Sequence, residues 1–451
     1  MLQRAAPTID PVATPVDLRA LVEAYPDRWR FLLHSAGEGR TRSSRWSIAF
    51  RQTGEALSAP FADRHRFFAQ LNTRLGANPP APSDAELPFL GGWFVYLGYE
   101  MASAVEPTLT VPAPPDAIPT AFAAECGCAV LFDHQLNRCW LVSESADWQR
   151  QAQAEVDALD PADVGPDAEI AMDALQWRVS VDPPERFVEG VRAIQAYIDA
   201  GDVFQVNLSR EWRLSSEGQT RPMALFDALM ASNPSPFSGL AHLPGGTVIS
   251  TSPERLIERR KDRIQTRPIA GTRPRGASTA KDLALIEELT GNLKERAEHV
   301  MLIDLERNDL GRVCRPGTVE VDELMGVESY AHVHHIVSNV IGQLKPGASS
   351  IDALCAVFPG GTITGCPKVR CMEIIAELEG VGRGAYTGAM GYIDCHDNMD
   401  MNILIRSACL TDQGVRFRTG AGIVADSDPW AELRETEAKA KGLLSAFGVV
   451  A

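Results

Sequence analysis

The stretch that decides the fold is Phe358–Ile374, with the sequence FPGGTITGCPKVRCMEI. Two shorter segments accompany it, Pro268–Thr272 (PIAGT) and Val333–Ser338 (VHHIVS). Around these segments the apolar spacing switches between helical and alternating patterns, without the regular strand–helix alternation of a parallel sheet. We therefore predict an α+β fold.

Apolar spacing also predicts the elements further out along the chain. Helices are predicted over Pro183–Ala200, Leu283–Leu305 and Pro429–Ala446. Strands are predicted over Trp46–Phe50, Cys126–Phe132, Val203–Trp212, Ala385–Ile393 and Asn402–Leu410.

A boundary is predicted near residue 150. Residues 144–175 are rich in Ala, Asp, Gln and Glu, and the breaks Asp160-Pro161 and Gly165-Pro166 follow the charged part. This pattern indicates a charged helix followed by an exposed connection. We predict an N-terminal subdomain over 1–150, a linker over 151–180 and a catalytic domain over 181–451.

Composition excludes several classes of partner. The chain has 451 residues, 45% of them hydrophobic, which suffices for a large core. The formal net charge of −16 repels phosphate backbones and anionic lipids, so we expect neither a nucleic-acid nor a membrane partner. The start of the chain lacks the apolar core of a signal peptide. The nine scattered cysteines indicate the reduced thiols of a cytoplasmic protein.

Two pairs of acidic residues suggest a metal site. The pairs are Glu295 with Glu298 and Glu432 with Glu435. Because residues three apart lie on one face of a helix, each pair would present both carboxylates together. Two such faces could share Mg²⁺, which prefers oxygen ligands and retains several waters. Alternatively, Lys294–Glu298 and Glu435–Lys439 are ordinary ion pairs on solvated helices.

Together these motifs resemble the chorismate-utilising enzymes. The resemblance is dense from Glu185 to Leu444 and thin before residue 150. FPGGTITG, VHHIVS and QVN (Gln205–Asn207) resemble component I of aminodeoxychorismate synthase, in the folate branch, whereas the Ala of PIAGT is more usual in component I of anthranilate synthase. The resemblance implies large antiparallel sheets packed as a sandwich with helices outside.

The resemblance also implies catalytic roles. The motifs Lys294–His299 (KERAEH) and Glu435–Lys439 (ETEAK) match its metal helices. Carried over, Glu298 and Glu435 bind Mg²⁺, while Glu295 and Glu432 support it through metal-bound water. Glu254, in Ser252-Pro253-Glu254, becomes the general acid for the departing C4 hydroxyl of chorismate. His335 contacts the reacting ring.

Several residues are candidates for binding the anionic substrate. The backbone of Gly420, Ala421 and Gly422 can approach a carboxylate closely, although a plain turn is the alternative. Arg406 can clamp a carboxylate bidentately. The resemblance adds three side chains that contact the substrate and one that supplies positive charge. They are Tyr386, Thr362 and Thr272, and Lys439.

Two positions bear on the reaction. Relatives that add water carry a Lys base at the position of Gln205, so the amide favours ammonia as the nucleophile. Many folate-branch relatives carry a nucleophilic Lys at the position of Ala270, and Ala cannot form that covalent intermediate. We therefore expect amination to 4-amino-4-deoxychorismate, for para-aminobenzoate and folate biosynthesis, through a non-covalent C2-amino intermediate. The alternative is anthranilate plus pyruvate, for tryptophan biosynthesis.

The ammonia must come from outside the chain. No Cys lies in the G-x-C-x-G elbow of a class I glutaminase, and no His is followed two residues later by Glu. Ammonia therefore diffuses in as the free base or arrives from a partner subunit, and we expect a glutamine amidotransferase subunit to supply it.

An N-terminal pocket is also predicted. Leu32–Ala36 (LLHSA) and Asn233–Phe237 (NPSPF) resemble the two walls of the family's tryptophan site. The candidate regulatory residues are Ser35, Asn233, Pro234 and Phe237. His34 replaces an acidic residue and removes the carboxylate that would recognise an ammonium group, so a purely structural pocket is the alternative.

Overall fold

Strand pairing divides the chain between two antiparallel sheets. The structure, a computed structural model, describes residues 6–13, 16–35, 44–76, 86–159, 176–218, 220–330 and 333–449. The strands are β1 (Thr8–Val12), β2 (Trp29–His34), β3 (Trp46–Arg51), β4 (Ala56–Ala59), β5 (Gly92–Leu97), β6 (Ala121–Cys126), β7 (Cys128–Asp133), β8 (Arg138–Ser143), β9 (Arg178–Val181), β10 (Gln205–Ser215), β11 (Phe237–Leu243), β12 (Gly246–Ser252), β13 (Arg255–Arg260), β14 (Arg263–Thr266), β15 (Ile269–Pro274), β16 (Glu320–Ser329), β17 (Val333–Gln343), β18 (Gly365–Cys366), β19 (Ala389–Asp394), β20 (Met399–Ile403), β21 (Ser407–Thr411) and β22 (Gly414–Ile423).

Helices connect and cover the sheets. They are α1 (Leu18–Ala24), α2 (Phe67–Leu75), α3 (Ala102–Val105), α4 (Ala146–Asp157), α5 (Pro184–Asp199), α6 (Pro222–Ser232), α7 (Thr279–Gly291), α8 (Leu293–Val313), α9 (Ser350–Val357), α10 (Lys368–Glu379) and α11 (Pro429–Ser445). Within the described residues, no helix is both long enough and apolar enough to cross a membrane.

Each sheet combines strands from both ends of the sequence. The 12-stranded sheet runs β1-β8-β7-β3-β2-β11-β12-β21-β22-β10-β18, with β9 on β10. The 10-stranded sheet runs β15-β17-β14-β13-β20-β19-β5-β6-β4, with β16 on β17. Strands before residue 150 pair with later strands at β2–β11 and at β5–β19. The predicted domain boundaries stay a prediction, and residues 160–175 of the linker lie outside the described residues.

The two sheets pack face to face. Phe31 of β2 stacks on Phe94 of β5 with ring centroids 4.2 Å apart, which joins one sheet to the other. The surrounding core contains side chains of β3, β7 and β12 from one sheet and of β6 and β19 from the other. This stacking adds to the apolar burial that holds the sandwich together. The α+β prediction and the predicted sandwich are confirmed.

Helices bury their apolar faces on the outer surfaces of the sandwich. Helices α1, α4, α6 and α11 cover the 12-stranded sheet, and α2, α8 and α9 cover the 10-stranded sheet. At one end, α5 and α10 pack on β10 and β22. Helix α5 confirms its prediction: Phe187, Val191 and Ile194 are buried at helical spacing, and Gly201, with φ of 82°, follows its end.

Three predicted elements are wrong in detail. The helix predicted over Leu283–Leu305 is two helices, because Asn292 adopts an extended conformation between α7 and α8. The strand predicted over Asn402–Leu410 is interrupted at Arg406, whose φ is 49°. The strand predicted from Ala385 begins at Ala389, since Thr387 has a φ of 63°. The last two breaks need left-handed backbone at residues other than glycine, which no sequence pattern indicates.

Candidate active site

Glu254 is the buried acid at the centre of the site. It lies between β12 and β13, and its Oε1 accepts a hydrogen bond of 2.8 Å from the hydroxyl of Thr362. Burial raises the pKa of the Glu254 carboxyl to about 7, against the lowering effects of Thr362, the Ile269 backbone N–H and the charge of Arg406. The carboxyl is therefore partly protonated near neutral pH and can donate a proton to a leaving group.

His335 is held on β17 beside the PIAGT segment. Its Nδ1 lies 3.0 Å from the Thr272 hydroxyl and 3.3 Å from the Gly271 carbonyl oxygen. A proton on Nδ1 satisfies that carbonyl and leaves the lone pair on Nε2, which is buried without a hydrogen-bond partner among the described residues. Burial lowers the pKa of His335 to about 4, so the ring is neutral at pH 7.

Arg406 brings positive charge to this group. Its left-handed backbone interrupts the run from β20 to β21, where its carbonyl oxygen accepts from the backbone N–H of Thr251 at 3.0 Å. Burial lowers the pKa of Arg406, and the charge of Glu254 opposes that shift. We call Glu254, Thr362, His335, Thr272 and Arg406 the catalytic cluster; all five were predicted from the sequence, and their chemistry suits an anionic substrate that loses a hydroxyl.

PIAGT provides one wall of the cluster. Ala270 pairs with Ile336 across β15 and β17, and the register shifts immediately after it. At the shift, Gly271 has a φ of 67°, and a Cβ there would lie 2.4 Å from Oε2 of Glu295. That oxygen is buried without a partner among the described residues, whereas Oε1 of Glu295 accepts from Arg273 at 2.7 Å. Glycine is therefore required where Glu295 approaches the wall.

The β10–β22 pair provides the opposite wall. Gly420 and Gly422 lie in β22, so the run is a strand rather than the turn considered as an alternative. The contact of this backbone with a substrate carboxylate stays a prediction. Ala421 packs into the core. The Tyr386 hydroxyl lies 2.8 Å from the Cβ position of Gly420, and Lys439 Nζ donates to the Gly420 carbonyl at 2.9 Å.

The predicted metal ligands lie on two helices, as expected, but the described side chains are not arranged as a metal site. Glu295 and Glu298 are on α8, and Glu432 and Glu435 are on α11. Glu435 pairs with Lys439 at 2.7 Å, while Ser427 donates to Glu432 at 2.7 Å. Within the described residues, no three acidic, histidine or cysteine side chains converge to hold a metal. Mg²⁺ stays a prediction, and the Lys294 side chain lies outside the described part.

A cavity lies elsewhere in the molecule. It has a volume of about 1240 Å³, opens between the sheets, and is lined by His34 and Phe237 but by no residue of the catalytic cluster. We call it the inter-sheet cavity. Burial lowers the pKa of His34 to about 3, so this residue is neutral. Of the other predicted pocket residues, Ser35 is buried beside Ser47.

Only part of the predicted second wall, Asn233–Phe237, lines the inter-sheet cavity. Asn233 donates from Nδ2 to the Gly442 carbonyl at 2.8 Å and thereby ties the end of α6 to α11. Asn233 and Pro234 are absent from the described lining of the inter-sheet cavity, whereas Pro236 and Phe237 belong to it. The regulatory role of these residues stays a prediction, and Ala36 lies outside the described residues.

Sequence reasoning missed two residues near the cluster. Glu306 of α8 is buried, and an Oε1 atom of its side chain lies 3.5 Å from the Cβ position of Gly361, next to Thr362. Burial and the neighbouring Asp309 raise the pKa of Glu306. Asn207 of β10 has a buried Oδ1 without a partner among the described residues. The QVN motif contained Asn207, but no spacing rule indicated that its side chain faces the site.

Comparison with known proteins agrees with this geometry. A model of the chorismate binding enzyme family matches residues 28–445. The chain belongs to this family. It is therefore a chorismate-utilising enzyme, and the family resemblance predicted from the sequence is confirmed.

Relatives of the chain carry two different names. An "Anthranilate synthase component I-like protein" from Synechocystis sp. is 45% identical over 365 residues, covering 80% of this chain and 73% of the relative. "Aminodeoxychorismate synthase component 1" from Bacillus subtilis is 39% identical over 400 residues, covering 86% and 82%. The crystal structure of anthranilate synthase component I from Streptococcus pneumoniae superposes with a TM-score of 0.76 at 29% identity, covering 90% of this chain and 93% of that one.

Proposed function

We propose that this enzyme aminates chorismate with ammonia to 4-amino-4-deoxychorismate, the precursor of para-aminobenzoate in folate biosynthesis. The observation that carries the proposal is the pairing of a buried acid, Glu254, with an amide at Gln205. An acid is needed to expel the C4 hydroxyl, and Glu254 supplies it. Water would need a base to become a nucleophile, and the Gln205 amide cannot act as that base. Ammonia is a nucleophile without the help of a base.

The chemistry follows from these groups. Ammonia adds at C2 while both ring double bonds shift toward C4, and the C4 hydroxyl leaves as water with the proton of Glu254. A second ammonia then attacks C4, both double bonds shift back, and the C2 amine leaves as ammonia. Since Ala270 has no nucleophile, the C2-amino intermediate is non-covalent. The 2.8 Å bond from Thr362 holds Glu254 in place for the proton transfer.

Positive side chains offset the charge of the protein at this site. The formal net charge is −16, and chorismate carries two carboxylates. Arg406 lies close enough to Glu254 and His335 to influence the pKa of both. A guanidinium at this depth can clamp one carboxylate. We assign the other end of the substrate to Tyr386 and Lys439, which both reach Gly420.

Anthranilate formation is the second candidate. It is favoured by Ala270 in PIAGT and by the names of several relatives. After the same addition at C2, this route needs a base to take the ring proton from C2 while pyruvate leaves. The neutral imidazole of His335, with an unpartnered Nε2, has the properties of such a base.

We also propose that Mg²⁺ is the cofactor, held by Glu298 and Glu435 with support from Glu295 and Glu432. When bound, the ion would offset the charge of a substrate carboxylate. The Glu435–Lys439 pair is half-exposed, and pairs of this kind contribute about 0–1 kcal/mol, so a divalent ion can displace Lys439. Glu298→Ala and Glu435→Ala should lose Mg²⁺ binding in a calorimetric titration and lose turnover. Glu437→Ala is the matched control, because Glu437 is a half-exposed glutamate on the same helix as Glu435.

Ammonia supply and location complete the proposal. A glutamine amidotransferase subunit would deliver ammonia, since the chain has no glutaminase motif. All nine cysteines are free, which supports a reducing, cytoplasmic setting.

Product analysis tests the function. The enzyme is incubated with chorismate, Mg²⁺ and ¹⁵N-ammonium at alkaline pH without any lyase, and the products are identified by mass spectrometry. We expect ¹⁵N-labelled aminodeoxychorismate that retains its enolpyruvyl arm. Labelled anthranilate plus pyruvate would place the chain in tryptophan synthesis. A covalent adduct of chorismate on the protein would refute the non-covalent route.

A further inference from the structure

Two buried amide oxygens face the site without partners. They are Oε1 of Gln205 and Oδ1 of Asn207, and neither has a hydrogen-bond partner among the described residues. The two residues are two apart in β10, so their side chains lie on one face of the strand. An unpaired buried carbonyl oxygen destabilises the fold, and two on one face of a strand need an explanation.

The neighbouring backbone keeps both amides in position. The Asn207 N–H donates to the Thr364 carbonyl at 2.9 Å, and the Asn207 carbonyl accepts from Arg383 at 2.8 Å. The Gln205 carbonyl accepts from the thiol of Cys371 at 3.1 Å. The side chains therefore project from a strand whose backbone is fixed on both sides.

Glycines on the adjacent strand make room for these amides. A Cβ on Gly422 would lie 2.4 Å from Nε2 of Gln205, and a Cβ on Gly420 would lie 2.7 Å from Oδ1 of Asn207. Any larger residue at either position would displace the amide groups. Glycine at these two positions therefore preserves the space that the two amide groups occupy.

The amide pair lies beside the catalytic cluster. Strand β10 pairs with Gly365 and Cys366 of β18, and that segment continues from Thr362, which donates to Glu254. The Tyr386 hydroxyl reaches the same glycine as Asn207. A molecule held by the pair is therefore next to the group that expels the hydroxyl.

We propose that Oε1 of Gln205 and Oδ1 of Asn207 together form the binding subsite for ammonia. The inference rests on the proposed function and extends it to Asn207, for which sequence reasoning suggested no role. Ammonia donates two of its three N–H bonds to the two oxygens, and its lone pair remains free to attack the ring.

Neutral acceptors suit this task better than carboxylates. A carboxylate would bind the ammonium ion and hold it protonated, and ammonium has no lone pair. Amide oxygens accept hydrogen bonds without adding a negative charge, so they favour the free base. Two amides thus bind the nucleophile and leave it reactive.

The first test measures turnover of chorismate with ammonium chloride as the sole nitrogen source. Asn207→Leu removes one acceptor at similar volume, and loss of one hydrogen bond corresponds to about a tenfold rise in KM for ammonia. The KM for chorismate should stay unchanged. Asn339→Leu is the matched control. The Oδ1 of Asn339 is also buried and has no partner within the described part of the chain, but Asn339 lies on β17 and donates to Asp322.

A second variant covers the case in which Asn207→Leu does not fold. Asn207→Asp keeps the shape but adds a carboxylate, which holds ammonia in its protonated form. Turnover at neutral pH should fall at least about tenfold relative to wild type, and the ratio of variant to wild-type turnover should recover as the pH rises toward the pKa of the ammonium ion. Equal KM values for ammonia in wild type and Asn207→Leu, or an unchanged pH profile in Asn207→Asp, would overturn the subsite. If wild type produces no aminated product, the proposed function fails, and that result is distinct from either variant outcome.

Discussion

The catalytic cluster and the inter-sheet cavity differ in how their polar atoms are satisfied. The cavity has a volume of about 1240 Å³, and two arginines of its lining are paired: Arg255 binds Asp400 through two bonds of 2.9 Å, and Arg260 donates to the Tyr392 hydroxyl at 2.9 Å. Around the cluster, Nε2 of His335 and Oε2 of Glu295 have no partner among the described residues. Chemistry is therefore indicated by unsatisfied groups rather than by empty volume.

The largest effect should come from removing the acid of the cluster. Glu254→Gln keeps the shape but cannot protonate the C4 hydroxyl, so turnover should fall by about 10²–10⁴-fold, measured as kcat with saturating ammonium. Glu258→Gln is the control on the cavity side, since Glu258 pairs with Arg255 and Arg260. Near-normal turnover in Glu254→Gln would remove the basis for separating the two regions.

The pH dependence should identify the same carboxyl. Glu254 acts in its protonated form, and its pKa is raised to about 7, so kcat at constant free ammonia should fall as the pH rises through that value. The Thr362 hydrogen bond lowers the pKa of Glu254. Thr362→Val should therefore move the descending limb of the plot of kcat against pH to higher pH. Thr364→Val loses only bonds to the carbonyls of Gly360 and Gly361, so it should leave the descending limb of the kcat profile in place.

Cavity substitutions should affect stability and leave the chemistry intact. Asp400→Asn breaks a buried ion pair and leaves Arg255 undercompensated, at a cost of about 3 kcal/mol. The melting temperature should fall, whereas kcat and the KM for chorismate should remain within about twofold of wild type. A selective loss of kcat would mean that the cavity takes part in the reaction.

The smallest effect is expected from tryptophan. His34 is neutral and supplies no negative charge for an ammonium group. Millimolar tryptophan should neither inhibit turnover nor shift the melting temperature. Competitive or partial inhibition would assign a regulatory role to the inter-sheet cavity. The cavity would then be a functional site, as the catalytic cluster is.

Sequence patterns predicted the elements best where apolar spacing decides the structure. Helix α5 and strand β10 follow their patterns closely because burial selects their faces. The break at Asn292 had a local signal, which the long helical pattern outweighed. Gly291 precedes Asn292, and the Asn292 Oδ1 caps the next helix by accepting from the Glu295 N–H at 3.2 Å. The break at Arg406 had none, since its backbone is set by strand pairing.

Site residues were predictable from motifs, but their relations were not. Glu254 and Thr362 are 108 residues apart in the sequence, and only the fold brings them and His335 together. The role inferred for Asn207 depends on its position opposite Gly422 across β10 and β22. Helical spacing placed both carboxylates of each acidic pair on one face, but spacing within a helix gives no distance between helices.

The position of β22 within its sheet has a consequence for biosynthesis. Strand β22 joins β21 to β10 in the interior of the 12-stranded sheet, although it comes near the end of the described sequence. A nascent chain that has not yet emerged past residue 423 leaves two open strand edges in the half-built sandwich. We expect chains that stall or terminate before β22 is complete to be prone to aggregation and dependent on chaperones.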